Sequence, residues 1–303
     1  IERFGTIPSE TGLKRRTRIH QGWWRMNVLN EQPGVHPKHK EKNVCNTIFD
    51  GKISKRNFLT QNSIKAVDIT VAARKKAEAG IMELDRLYNN LLSSQPLCFN
   101  FFGELMMDTD FGLRVLQNWW PELTELKRVI FEYAPKERFT ADNSAFDIAF
   151  EVSIGNKSGL IGLECKYTDT FSPTVYDKPA YQGIYGNANS FAAPYEDLKA
   201  SKYNQLFRNQ LIAEALLQNG KFNFVKTGLF CYQEDRSAIT TAEEFQKMLV
   251  NYNSFTTITY SDFITATQKL DLDWKKREWT MLLWARYCGT TLSDQVFKEL
   301  KER

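Results

Sequence analysis

Phe146-Asp147-Ile148-Ala149-Phe150-Glu151-Val152-Ser153-Ile154, then Gly155-Asn156-Lys157-Ser158-Gly159, then Leu160-Ile161-Gly162-Leu163-Glu164-Cys165-Lys166-Tyr167 is the stretch whose reading decides the fold. The first run alternates, with Phe146, Ile148, Phe150 and Val152 on one side and Asp147, Ala149 and Glu151 on the other. The last run alternates as well, placing Ile161, Leu163, Cys165 and Tyr167 opposite Leu160, Gly162, Glu164 and Lys166. Period-two patterning on both sides of a Gly/Asn/Ser turn predicts a β-hairpin. With the turn set at residues 155–158, Ile154 faces Gly159, Asp147 faces Lys166 and Ala149 faces Glu164, so two carboxylates and one ammonium converge.

The flanking sequence changes period. Residues 70–93 and about 97–107 carry helix formers at helical spacing, and a further helical stretch from Phe111 halts before Pro121. Val129 to Tyr133 has strand composition, residues 197–219 read as a helix closed by Asn219-Gly220, and Phe222 to Tyr232 reads as another strand. The expected architecture is α/β (α+β): a mixed central sheet flanked by helices, in the order helix, three strands, helix, strand.

Composition sets the outer limits. At 303 residues, 42% hydrophobic and 13% aromatic, the chain can bury a substantial core. No window has the length of uncharged apolar sequence that a membrane span needs, and the first thirty residues lack a signal-peptide core, so a soluble cytoplasmic protein is expected. Five scattered cysteines fit reduced thiols better than a disulfide framework. His36, His39 and Cys45 are too few and too loosely spaced for a structural zinc site. Residues 1–60 hold 12 Lys and Arg against 5 Asp and Glu, an excess that includes Arg15, Arg16, Arg18, Arg25, Lys38, Lys40 and Lys42 beside Trp23 and Trp24. Such a segment suits a phosphate-tracking surface, and a merely solvated basic face has the same composition. The simplest division is a basic N-terminal extension at 1–65 and a main domain at 66–303 with its core at about 97–232.

The hairpin carries the chemistry. Carboxylates crowded beside a core must be solvated, paired or metal-bound, and Mg²⁺ is satisfied by oxygen ligands. Asp147, Glu164 and the carbonyl of Cys165 are the candidate ligands, with Mn²⁺ as a substitute ion. Lys166 is placed to orient a water nucleophile or stabilise developing charge. Acidic-x-Lys occurs six times in the chain, but only the copy at Glu164 lies in an apolar alternating strand preceded by a second strand bearing Asp. The bland alternative is a surface ion pair across an exposed hairpin.

An Asp on one strand, a turn, and Glu-x-Lys on the next, within helix, three strands, helix, strand, resembles the PD-(D/E)XK nuclease superfamily, particularly its bacterial restriction-endonuclease-like members. The resemblance spans about residues 97–232, and Phe146 stands where the name-giving pattern has Pro. It implies a Mg²⁺-dependent endonuclease acting on DNA, most simply double-stranded, in restriction or genome defence. Asp147 and Glu164 would bind metal, and Lys166 would assist the attacking water. It further implies Glu104 as an additional acidic ligand from the first core helix, and Gln205 with Arg208 as polar residues reaching the phosphate. Cutting two strands with one site per chain is compatible with a homodimer. A non-catalytic nucleic-acid-binding protein that keeps the fold, and a metal-assisted hydrolase of RNA or nucleotides, remain open alternatives.

Overall fold

The structure is a computed structural model that describes residue 10 and residues 12–36, 43–77 and 82–301. Helix α1 (Gly12–Trp24) continues into a π-helical turn, Arg25–Leu29, and is followed by a small hairpin of β1 (Pro33–Val35) and β2 (Asn43–Ile48). Next come α2 (Gly51–Ser54), α3 (Gln61–Ala77), α4 (Leu84–Asn89), α5 (Ser94–Met107) and α6 (Thr109–Leu116). Strands β3 (Glu125–Tyr133), β4 (Phe146–Ile154) and β5 (Lys157–Lys166) lead to α7 (Pro179–Gly186), α8 (Tyr195–Leu198) and α9 (Asn204–Gln218). The chain then forms β6 (Phe224–Cys231), α10 (Arg236–Lys247), β7 (Phe255–Thr259), α11 (Tyr260–Gln268), α12 (Trp274–Leu283) and α13 (Asp294–Lys301). No helix among the described residues is long and apolar enough to cross a membrane.

Strands β3 to β7 form one mixed sheet in sequential order: β3, β4 and β5 pair antiparallel, while β6 and β7 join parallel to β5. The expected hairpin is present with a shorter turn. Ile154 pairs with Lys157 and not with Gly159, leaving only Gly155 and Asn156 between the strands. Gly155 has φ +57°, the left-handed value that a two-residue turn with Gly in first position uses. The register therefore moves by two residues, and its last pair, Ile148 with Leu163, brings Asp147 level with Glu164 where the sequence reading placed Lys166.

Helices cover both faces. One face carries Val129, Phe131, Ile148, Phe150, Ile161, Leu163 and Phe230, packed with Phe101 and Phe102 of α5, Phe263 of α11 and Trp279 of α12. Phe101, Phe102, Phe230 and Phe263 meet mostly edge-to-face, as aromatic quadrupoles favour. The other face carries Ala149, Leu160, Val225 and Leu229 under α7, α9 and α10. Two expected helices are divided. The 70–93 stretch gives α3 and α4, and Asn90 ends α4 in extended conformation to bridge Thr47 of β2. The 197–219 stretch breaks ahead of α9, where the Asn204 amide donates to the carbonyls of Tyr176 and Lys199.

Within the basic segment, α1 packs on the C-terminal elements. His20 binds Ser293 and Ala285, and Gln21 donates to the Tyr167 hydroxyl and to the Arg286 carbonyl.

Candidate active site

The site forms where β3, β4 and β5 end together. The last β4/β5 pair, Ile148 with Leu163, brings Asp147 level with Glu164, and the pairs Phe131 with Ile148 and Tyr133 with Phe146 place Glu132 beside Asp147. Side-chain alternation breaks at this row. Phe131 and Ile148 pack on the α5 side, whereas Tyr133 and Phe146 pack on the α9 side. Asp147 sits at the break, and its Oδ2 accepts the Cys165 backbone N–H at 2.7 Å. Backbone N–H groups lie in the sheet plane, so this carboxylate occupies the gap between β4 and β5.

Glu164 and Lys166 are nearly enclosed, 4% and 7% exposed, and pair at 3.0 Å. Helix α9 fixes that pair. The Gln205 amide accepts from Lys166 Nζ at 2.8 Å and donates to Glu164 Oε1 at 2.5 Å, and Asn209 donates to Glu164 Oε2 at 3.0 Å. Residues four apart on a helix share a face, which is why Gln205 and Asn209 reach one carboxylate together. The Phe171 ring lies 5.1 Å from the Lys166 ammonium.

The electrostatics are crowded with negative charge. Burial, then Glu164, then Glu132 push the Asp147 carboxyl well above the usual carboxylate range. Burial raises Glu132 as well, against the pull of Arg74. Burial alone would lower Lys166, but Glu164 and Asp147 outweigh it and hold the ammonium above its ordinary value. Burial pushes the Cys165 thiol far up, which keeps it protonated and unsuited to nucleophilic attack.

These donors fit a hard divalent cation in kind. Along a strand the N–H and C=O of one residue point to the same neighbour, so the Cys165 carbonyl faces the side from which Asp147 takes its N–H. Two carboxylates and a carbonyl are the oxygen donors that Mg²⁺ or Mn²⁺ prefers. Among the described residues no three His, Cys, Asp or Glu groups stand together as a ready-made ion cage. Glu164 is instead drawn toward Lys166, Gln205 and Asn209.

The structure brings Asp147, Glu164, Cys165, Lys166 and Gln205 together, and places other candidates apart. Glu104 accepts from Thr60 Oγ1 at 2.7 Å and from Asn62 Nδ2 at 2.8 Å, tying α5 to the start of α3. It lies nine residues, about 13 Å of helix, beyond Gln95, the α5 residue that does reach Glu132. Arg208 binds Ser144 and lies 3.7 Å from Asp142. Arg16 pairs with Asp294 and Arg18 with Glu10, so both serve internal ion pairs. Lys38, Lys40, Lys42 and His39 lie outside the described residues. A cavity of about 460 Å³, lined by Lys14, Arg18, Asn46 and Arg86, reaches Thr168 and Asp169, just beyond Lys166.

Sequence reasoning missed Asn209 and Glu132. Asn209 was detectable from its four-residue spacing to Gln205. Glu132 gave no separate signal within the strand run Val-Ile-Phe-Glu-Tyr.

Comparison with curated proteins and with solved structures gives no match. A family model described as the PD-(D/E)XK nuclease superfamily matches residues 8–289, from before α1 to the end of the π-helical turn after α12. With that match over most of its length and the mixed sheet already described, the chain belongs to the PD-(D/E)XK nuclease superfamily.

Proposed function

We propose that this chain is a metal-dependent endonuclease that hydrolyses phosphodiester bonds in DNA, double-stranded DNA being the substrate the reading favours. The observation carrying it is the arrangement around Lys166: a buried ammonium held by Glu164 and Gln205, beside a second carboxylate, Asp147, that among the described residues has no ion-pair partner of its own. An ordinary surface ion pair needs neither the burial nor the second carboxylate.

Asp147, Glu164 and the Cys165 carbonyl would hold Mg²⁺, with Mn²⁺ as substitute. The bound ion would polarise the scissile phosphoryl group and favour hydroxide over water. Lys166 donates hydrogen bonds to the attacking water or to a phosphate oxygen and offsets the charge that builds there. Gln205 sets the direction of the ammonium, and Asn209 sets the rotamer of Glu164. In this reading Glu104 contributes through the α3–α5 junction and not as a ligand. A restriction or genome-defence role, and a homodimer that cuts both strands, extend the same reading.

The test is cleavage of plasmid, linear duplex, single-stranded DNA and RNA with Mg²⁺ and with chelator. Chelator-sensitive nicking or linearisation of plasmid supports the proposal. Binding without cleavage under all metals would sink it, and cleavage confined to RNA would replace DNA as the substrate.

A further inference from the structure

Glu132 is held in an unusual way for a strand residue. Its backbone has φ +53°, in the left-handed region that a β-strand side chain rarely adopts. Arg74 of α3 clamps this turn of the chain by donating to the carbonyls of Phe131 and Glu132. Gln95, at the start of α5, donates to Glu132 Oε1 at 3.1 Å. Among the described residues, the Oε1 of the same Gln95 amide is buried without a hydrogen-bond partner, as is Arg74 Nη1. Buried polar atoms are rarely left so, and an unpaired oxygen beside a carboxylate asks for a donor such as ordered water. Across the strand ends Glu132 and Glu164 flank Asp147 and raise its affinity for a proton, and Glu164 does the same to Glu132, with Lys166 paired to Glu164.

We propose that Glu132 is a positioning residue of the centre, accepting hydrogen bonds, together with Gln95, from water bound to the cation that Asp147 and Glu164 hold. The proposal rests on the metal-site reading above. It assigns Glu132 to the water shell because it is not gathered with the other two carboxylates into one ion cage. Such outer contacts fix ligand orientation and ion affinity without touching the ion.

The experiment is calorimetric titration of the full chain with Mn²⁺, without DNA, on the wild type and on Glu132→Gln, Asp147→Asn and Glu151→Gln. Glu132→Gln keeps the shape and an acceptor for Gln95, so the metal-free melting temperature should not fall. Its Mn²⁺ affinity should fall about 10- to 100-fold. Glu151, paired with Arg128 away from the row, should not matter. Affinity of Glu132→Gln within about twofold of wild type overturns this inference alone. A weakened affinity accompanied by a lowered metal-free melting temperature also overturns it, in favour of a structural role. Absence of saturable Mn²⁺ binding by the wild type overturns the metal-site reading itself.

Discussion

Two buried polar clusters meet near the end of β5, and they solve opposite problems. At the junction of α1 with the C-terminal elements, Arg286 is 0% exposed and among the described residues has no carboxylate partner. Its guanidinium donates to the Asn57 carbonyl at 2.7 Å, to Asn57 Oδ1 at 2.6 Å and to Gln21 Oε1 at 3.3 Å, while Gln21 passes a hydrogen bond to Tyr167. One residue away in sequence, Lys166 faces more carboxylates than it can neutralise. A cation solvated by neutral oxygens is complete and holds elements together. Carboxylates gathered across three strand ends are incomplete, and in the proposed reading a bound cation supplies the missing positive charge.

The sharpest way to break this contrast is to remove one member of each cluster. Arg286→Met leaves the Asn57 and Gln21 oxygens buried without their donor, and should cost about 3 to 5 kcal/mol of stability in denaturant unfolding. Cleavage per folded molecule should stay within a few-fold; a large catalytic loss with normal stability would show that the junction is not purely structural. Asp147→Asn should do the reverse. It should lose at least about a hundredfold in cleavage, about 2.7 kcal/mol of transition-state stabilisation, without a lowered melting temperature. Activity within a few-fold of wild type would erase the distinction between the clusters.

His20 sharpens the structural side. Burial holds its imidazole down at about 4, while its Nε2–H donates to the Ala285 carbonyl. The unfolded chain takes up a proton near pH 6.5 and the folded chain does not until about 4, so the stability from this site is complete above pH 6.5 and is lost as pH falls toward 4. Between pH 8 and 5 the wild type should lose about 2 kcal/mol more than His20→Gln. Parallel pH profiles for the two would refute it. On the catalytic side, Asn209→Ala frees one oxygen of Glu164 and should lower the cleavage rate about tenfold, roughly 1.4 kcal/mol, with Mn²⁺ still bound. No change in rate would make Asn209 a spectator.

Alternation exposed the β4/β5 hairpin because, although helices cover both faces, the large apolar residues Ile148, Phe150, Val152, Ile161 and Leu163 recur every second position on the α5 face. The same logic tied Glu164 to Lys166. It did not reach Glu132, because nothing in a five-residue apolar run says which neighbour its lone acid will face; that follows from strand pairing and a left-handed backbone. Glu104 lies on the first core helix, as the resemblance expects of an acidic ligand, but nine residues along α5 from Gln95 and with Thr60 and Asn62 on its carboxylate; the sequence does not show which turn of α5 meets the sheet's edge. The basic segment looked like an open surface since charge counts carry no partners, yet Arg16 and Arg18 find theirs in Asp294 and Glu10.

The turn at Gly155 and Asn156 acts as a length standard for chemistry about 26 Å away, eight strand residues off. Were the turn to take up one more residue of β5, every side chain of that strand would pass to the opposite layer. Were it to take up two, the layers would persist but the ammonium of Lys166, in place of the Glu164 carboxylate, would come level with Asp147. Such a chain would keep its core and its full set of reactive side chains, yet present them in the wrong order, so the brevity of a surface loop governs the centre as firmly as the residues within it.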